Sequence, residues 1–128
     1  MDITTEIWNR AAGFEDMDGF RDGDRALHDA LLLHGTAMNG GLLHALESLE
    51  ADELTAAVAG FRWLGLAGTA EQIEAFAADA VDADAAETEA LEERGNELYY
   101  GAVPDDDVLE AAFRARHAEL PEAFAPLA

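Results

Sequence analysis

A chain of 128 residues, half of them apolar, supplies enough material for one modest core and is too apolar to stay disordered. Twenty-eight Asp and Glu against seven basic residues, all Arg, give a formal net charge of −21, a field that repels nucleic acid and anionic lipid and draws cationic surfaces. The absence of Cys excludes disulfides and thiolate metal sites, and no stretch approaches the roughly 18 apolar residues of a membrane span or carries a leader pattern, so a cytoplasmic protein is expected.

Ile3, Ile7 and Ala11 recur at helical spacing before Gly13, which predicts a first helix near 3–12. The polar stretch 15–23, with Gly19 and Gly23, reads as a loop, and Asp24 as the cap of the next helix. Leu27, Leu31, His34 and Met38 give that helix one apolar stripe. Asn39-Gly40-Gly41 then interrupts two apolar runs. Asn39 and Gly40 suit the left-handed conformation that ends a helix, and Gly41 lets the chain turn into Leu42–Leu49. A Gly-rich turn ahead of a helix can also cradle an anion, but no Arg stands nearby. The turn therefore reads as a corner between two helices.

A helix over 52–65 places Leu54, Val58 and Phe61 on one face, with Trp63 on the opposite side, against a second layer or an interface. Gly65 and Gly68 end it. Thr69-Ala70-Glu71-Gln72 fits a capping box, after which Ile73, Phe76, Ala77, Ala80 and Val81 continue an apolar face. Residues 82–98 read as a weakly apolar helix ended by Tyr99-Tyr100-Gly101. Pro104 and the run Asp105, Asp106, Asp107 open a last helix, acids first, with Leu109, Ala112, Phe113 and Leu120 as its stripe and Pro121 as its stop. No segment alternates like a strand and none repeats. The prediction is an all-α compact bundle of about six or seven helices, a single acidic helical domain spanning 1–128.

The acidity is uneven: residues 67–128 hold sixteen of the acids and three of the Arg. Segment 71–93 has nine acids and no basic residue, and on a helical wheel Asp82, Glu89, Glu93 and Glu97 form one stripe. Four residues of helix rise about 6 Å, a spacing similar to that between successive phosphates along a nucleic-acid strand. Such carboxylates can present a DNA-binding protein with the charge pattern it meets on DNA. A solvated face that serves solubility, or a habitat that favours acidic proteins, produces the same composition. Like charges four residues apart weaken a helix, so a stripe without pairing Arg leans toward use; Gly95 inside it suggests a bend or an end.

Catalytic and metal chemistry find little footing. His28 and His34 are six residues apart and do not share a helix face. His34 and His44 straddle the Gly-Gly turn and can approach one another, with Glu47 nearby, yet His34 sits on an apolar stripe and reads as a hydrogen-bonded core histidine. His44 suits the turn or a small cleft, and His117 the surface. No zinc-protease, nucleophile, P-loop or dinucleotide pattern occurs. No catalytic residue, metal or cofactor is expected.

Asn39-Gly40-Gly41 followed by Leu42, Leu43 and His44 resembles the Asn-Gly-Gly turn of the DNA mimic protein nineteen family, small acidic all-helical bacterial proteins of mostly unassigned function. The later order also fits: a helix over 54–65, an acidic stretch, Tyr99-Tyr100, the Asp105–Asp107 run, and a terminal Pro121-Glu122-x-Phe124. The likeness covers about 24–124. Leu42 stands where the family has an aromatic, and His44 where it has Gln. The resemblance implies a dimeric protein that offers a DNA-like acidic surface to a helix-turn-helix repressor.

The expectation is a non-enzymatic protein that competes with DNA for a basic DNA-binding protein, such as a transcription factor, without binding nucleic acid or membrane itself. Asp82, Glu89, Glu93, Glu97, Asp105, Asp106 and Asp107 are the candidate partner-binding carboxylates. Trp63 and Tyr99-Tyr100 are candidate homodimer contacts, though core packing explains them equally well. An immunity or antitoxin-like inhibitor of a basic nuclease is the first alternative. The second is a small ligand-binding domain or enzyme built on Asn39, Gly40, Gly41, His44 and His34.

Overall fold

The computed structural model describes residues 2–13 and 18–127. Among these residues the regular secondary structure is all helical, with seven α-helices and no strand. They are α1 (Ile3–Ala12), α2 (Asp22–Gly40), α3 (Leu42–Ser48), α4 (Ala51–Trp63), α5 (Ala67–Val81), α6 (Thr88–Ala102) and α7 (Asp106–Glu119). Short 3₁₀ turns precede α6 (Ala85–Glu87) and follow α7 (Pro121–Ala123). No helix among the described residues is long and apolar enough to cross a membrane.

The nineteen-residue α2 is the central element, with α1, α3 and α4 packed against it. From α4 the chain passes to α5 and then α6, which returns to α3 and closes the ring. Two glycines set the closest approaches. A Cβ at Gly60 of α4 would stand 2.5 Å from the Ala26 carbonyl oxygen of α2, so only glycine lets these backbones meet. A Cβ at Gly95 would stand 2.8 Å from the Phe76 ring, so glycine there lets α6 rest on α5, and α6 does not end at Gly95 but runs on to Ala102.

The core joins Leu27, Ala30, Leu33 and Ala37 of α2 to Leu42, Phe61, Ile73, Phe76, Leu91, Tyr99, Leu109 and Phe113. The expected α2 stripe is therefore shifted. Leu27 and His34 are buried, but Leu31 is half-buried and Met38 is 40% exposed. The expected loop shortens too, since α2 begins at Asp22; its residues 15–17 lie outside the described residues. Asp24 does cap α2, but from the third helical position, where its carboxylate accepts from the Arg21 backbone N–H at 3.0 Å. Wholly buried, it also accepts from Ala125 N–H at 2.7 Å and pairs with the Arg10 guanidinium, tying α1, α2 and the C-terminal tail into one knot.

Several boundaries moved. The segment Thr69–Gln72 is no capping box: α5 already runs from Ala67, through Gly68, and its N-cap Leu66 makes no side-chain cap bond. Residues 82–87 are not helical continuation but a turn and a 3₁₀ segment, in which Asp84 accepts from Ala86 and Glu87 N–H. Helix α6 carries on past Tyr99-Tyr100-Gly101 to Ala102. Leu120 ends 37% exposed beyond the α7 stripe, and Val81 is 83% exposed at the end of α5. His117 is half-buried, not a surface residue, with its ring 5.5 Å from Phe124.

Candidate functional site

The α2–α3 corner explains the Asn-Gly-Gly stretch. Asn39 and Gly40 are the last residues of α2, in ordinary helical geometry. It is Gly41 that takes a positive φ, +96° with ψ 167°, a region that is essentially glycine's alone. Its N–H closes α2 on the Ala37 carbonyl at 2.6 Å, and its carbonyl receives the Ala45 N–H at 3.1 Å. Asn96 of α6 lies directly against it: a Cβ on Gly41 would overlap the Asn96 Oδ1, which is buried without a hydrogen-bond partner. The corner brings three helices together.

The corner does not gather the residues expected to form a cleft. His44 is exposed on α3, its ring beside Gly40 and its nitrogens 3.5 Å from Ser48 Oγ. His34 faces elsewhere. It is 3% exposed and bridges two elements: Nδ1 lies 2.7 Å from the Tyr99 hydroxyl of α6, and Nε2 lies 2.8 Å from Asp106 Oδ1 at the start of α7. Burial, helped by the nearby Asp106 charge, pushes the Tyr99 phenol above its ordinary range, so it keeps its proton. Nε2–H donates to the carboxylate, and Nδ1 shares a hydrogen bond with the Tyr99 hydroxyl. This chain of bonds fastens α2 to α6 and α7.

Beside it, a cavity of about 580 Å³ opens between the last turns of α1, the outer face of α2 and Asp106. His28 and His34 both line it, although their six-residue spacing puts them on different faces of α2; the wall of α1 on one side and Asp106 on the other encloses both. Asn39 contributes as well, so the cavity joins His34 and Asn39 but not His44. Among the described residues no group of three or more His, Asp or Glu is placed to hold a metal ion.

The candidate partner-binding carboxylates fall into three groups. Glu89, Glu93 and Glu97 are exposed on α6, four residues apart, with no ion pair or side-chain hydrogen bond among the described residues. Asp82 is not on their stripe, because it caps the end of α5 and the 82–87 connection separates it from α6. Asp105 and Asp106 are engaged internally: Asp105 caps α7 by accepting the Asp107 N–H at 2.9 Å, and Asp106 holds His34. Asp107 is exposed in the first turn of α7.

The acidic segment also has Arg partners that its sequence alone does not reveal. Arg94, one residue past it, donates to Asp79 at 2.8 Å and lies over the Phe76 ring; Arg62 of α4 pairs with Glu74. Across the rest of the molecule Arg10 pairs with Asp24, Arg114 with Asp2 and Glu110, and Arg116 with Glu119. The expected dimer contacts are largely internal. Trp63 packs edge-on to Phe124 and under the Arg116 guanidinium, and Tyr99 is wholly buried. Tyr100 is 37% exposed, its hydroxyl donating to the Ala37 carbonyl at 3.0 Å.

No protein-family model matches the chain, and neither a curated protein nor a solved structure is significantly similar to it.

Proposed function

We propose that this protein is a non-enzymatic binding protein, a DNA mimic whose acidic surface competes with DNA for a basic DNA-binding protein such as a helix-turn-helix transcription factor. One observation carries the reading: Glu89, Glu93 and Glu97 stand exposed on α6 in a row of four-residue steps, without partners among the described residues, while five of the seven Arg are tied up in ion pairs elsewhere. Such a row offers fixed negative charge at about 6 Å intervals on a rigid scaffold. Arg and Lys that normally meet phosphates engage these carboxylates instead, so salt weakens the complex as it weakens binding to DNA. The resemblance of Asn39-Gly40-Gly41 and the later features to the DNA mimic protein nineteen family supports the same reading. Asp105 and Asp106, exposed as well, each also accept a hydrogen bond that serves the fold, so the row on α6 rather than the start of α7 carries the reading.

The test is capture from host lysate on the immobilised protein and, in parallel, on a variant with Glu89→Gln, Glu93→Gln and Glu97→Gln. The expected result is one basic DNA-binding protein, released by salt and by duplex DNA and lost on the variant. Equal capture by the variant, or binding unchanged between low and high salt, overturns the reading. Recovery of a basic nuclease that duplex DNA does not displace transfers it to the inhibitor class.

A further inference from the structure

The geometry points to the cavity beside His34 as a binding site for a small organic cation, an ammonium or amidinium carried on an apolar body. This inference is independent of the α6 surface. The volume, about 580 Å³, falls within the range of small-molecule sites. Its walls are divided in kind. Trp8 of α1 and Leu31 of α2 give an apolar side, with the Trp8 ring held by Phe113 at 6.1 Å.

The polar side carries one carboxylate, that of Asp106, and no cationic Arg. His28 donates Nδ1–H to the Ala11 carbonyl at 2.8 Å. Thr36 donates its hydroxyl to the Leu32 carbonyl at 2.8 Å, and the Nε2–H of His34 goes to Asp106 Oδ1. The second carboxylate oxygen of Asp106, on a side chain 69% exposed, has no hydrogen bond among the described residues. A ligand that brings positive charge meets this carboxylate, and one that brings negative charge is repelled by it. The net charge of −21 selects in the same direction over longer range, and the Trp8 face suits a cation as well as an apolar ring.

The experiment is calorimetric titration of the full chain at about 0.15 M salt with 2-phenylethylamine and benzamidine, against the size-matched neutral 2-phenylethanol and anionic phenylacetate. The two cations are expected to bind at least about tenfold more tightly than the neutral and anionic probes. Asp106→Asn keeps an acceptor for His34 and removes the charge; it is expected to weaken the cations about tenfold and to leave 2-phenylethanol unchanged. Glu93→Gln makes the same change in net charge on α6, away from the cavity, and is expected to leave cation binding unchanged. Cations binding no better than 2-phenylethanol, no binding of either cation, or equal losses in the Asp106→Asn and Glu93→Gln variants would each overturn the inference. Thermal melts of both variants, together with retained 2-phenylethanol binding, separate lost charge from lost structure.

Discussion

Asp24 and Glu93 are both carboxylates on well-formed helices, and their surroundings are opposite. Asp24 has no exposed surface; a guanidinium and two backbone N–H groups occupy its oxygens. Glu93 is exposed with no partner among the described residues. The same contrast runs through the molecule. Where α1, α2, the start of α7 and the tail meet, carboxylates act as fasteners: Asp24, Asp105 and Asp106 each join or cap elements. On α6 they decorate a surface. A net charge of −21 is thus two populations of acids, one holding the fold and one facing outward.

The fasteners should produce the largest effects when removed. Asp24→Ala leaves the Arg10 guanidinium without its carboxylate and the Arg21 and Ala125 N–H groups without an acceptor. It is expected to destabilise the protein by about 3–5 kcal/mol, read from urea unfolding. A loss under about 1 kcal/mol would mean that the knot is not a fastener at all. Next comes the corner. Gly41→Ala must hold a side chain at φ +96° and displace the Asn96 amide, an expected cost of about 1–3 kcal/mol. Gly40→Ala is the control. Its backbone is helical, but its new methyl would stand 2.7 Å from His44 Cγ and 3.2 Å from His44 Cβ, so the exposed His44 must change rotamer, at an expected cost of about 1 kcal/mol and without the backbone strain of Gly41→Ala.

That pair of glycines also marks how far sequence reasoning reaches. The Asn-Gly-Gly stretch is legible as a helix corner because of its composition. Which residue carries the positive φ is not, since that depends on Asn96 arriving from α6, fifty-five positions later. Helix α1 and the opening of α7 at Pro104-Asp105 were legible because their signals are local: apolar spacing, a stop, a cap. Thr69–Gln72 misled for the opposite reason. It has the residue types of a capping box with Thr69 as the N-cap, but the N-cap of α5 is Leu66, three residues earlier, where nothing in the sequence marks the start. His34 was readable as a bonded core histidine, yet Tyr99 and Asp106 as its partners were not, because α6 and the start of α7 bring them from 65 and 72 positions away; nor was the cavity, which needs α1 and Asp106 placed beside α2. The row Glu89, Glu93, Glu97 was legible from the wheel; the break that detaches Asp82 was not.

Asp29 sharpens the comparison, because it lies on α2 among the fasteners without a direct ion pair. Burial raises its pKa, more than His28 and Arg25 nearby lower it, and Glu53 raises it further. A raised carboxylate contributes stability that is fully present below its ordinary value of 3.8 and is lost as pH rises through the folded value. Asp29→Asn should therefore be more stable than the parent at neutral pH, and the two melting curves should converge toward pH 4. A variant less stable at neutral pH would show that Asp29 holds the fold through a bond and belongs with Asp24.

The smallest expected effect falls on the outward population, and its size decides what that population is for. Glu89 with Glu93, and Glu93 with Glu97, are like charges four residues apart, each pair opposing the helix by about 0.2–0.5 kcal/mol. Glu89 also lies in the first turn of α6, where the helix dipole favours an anion by a similar amount. Replacing all three by Gln should leave stability within about 0.5 kcal/mol of the parent, with Glu93→Gln alone slightly stabilising and Glu89→Gln alone slightly destabilising. If the triple variant instead loses more than about 1 kcal/mol, the row holds the fold, and the difference between the two regions collapses. If stability is unchanged while capture of a basic partner is lost, the three charges act on something outside the chain, since nothing inside it depends on them.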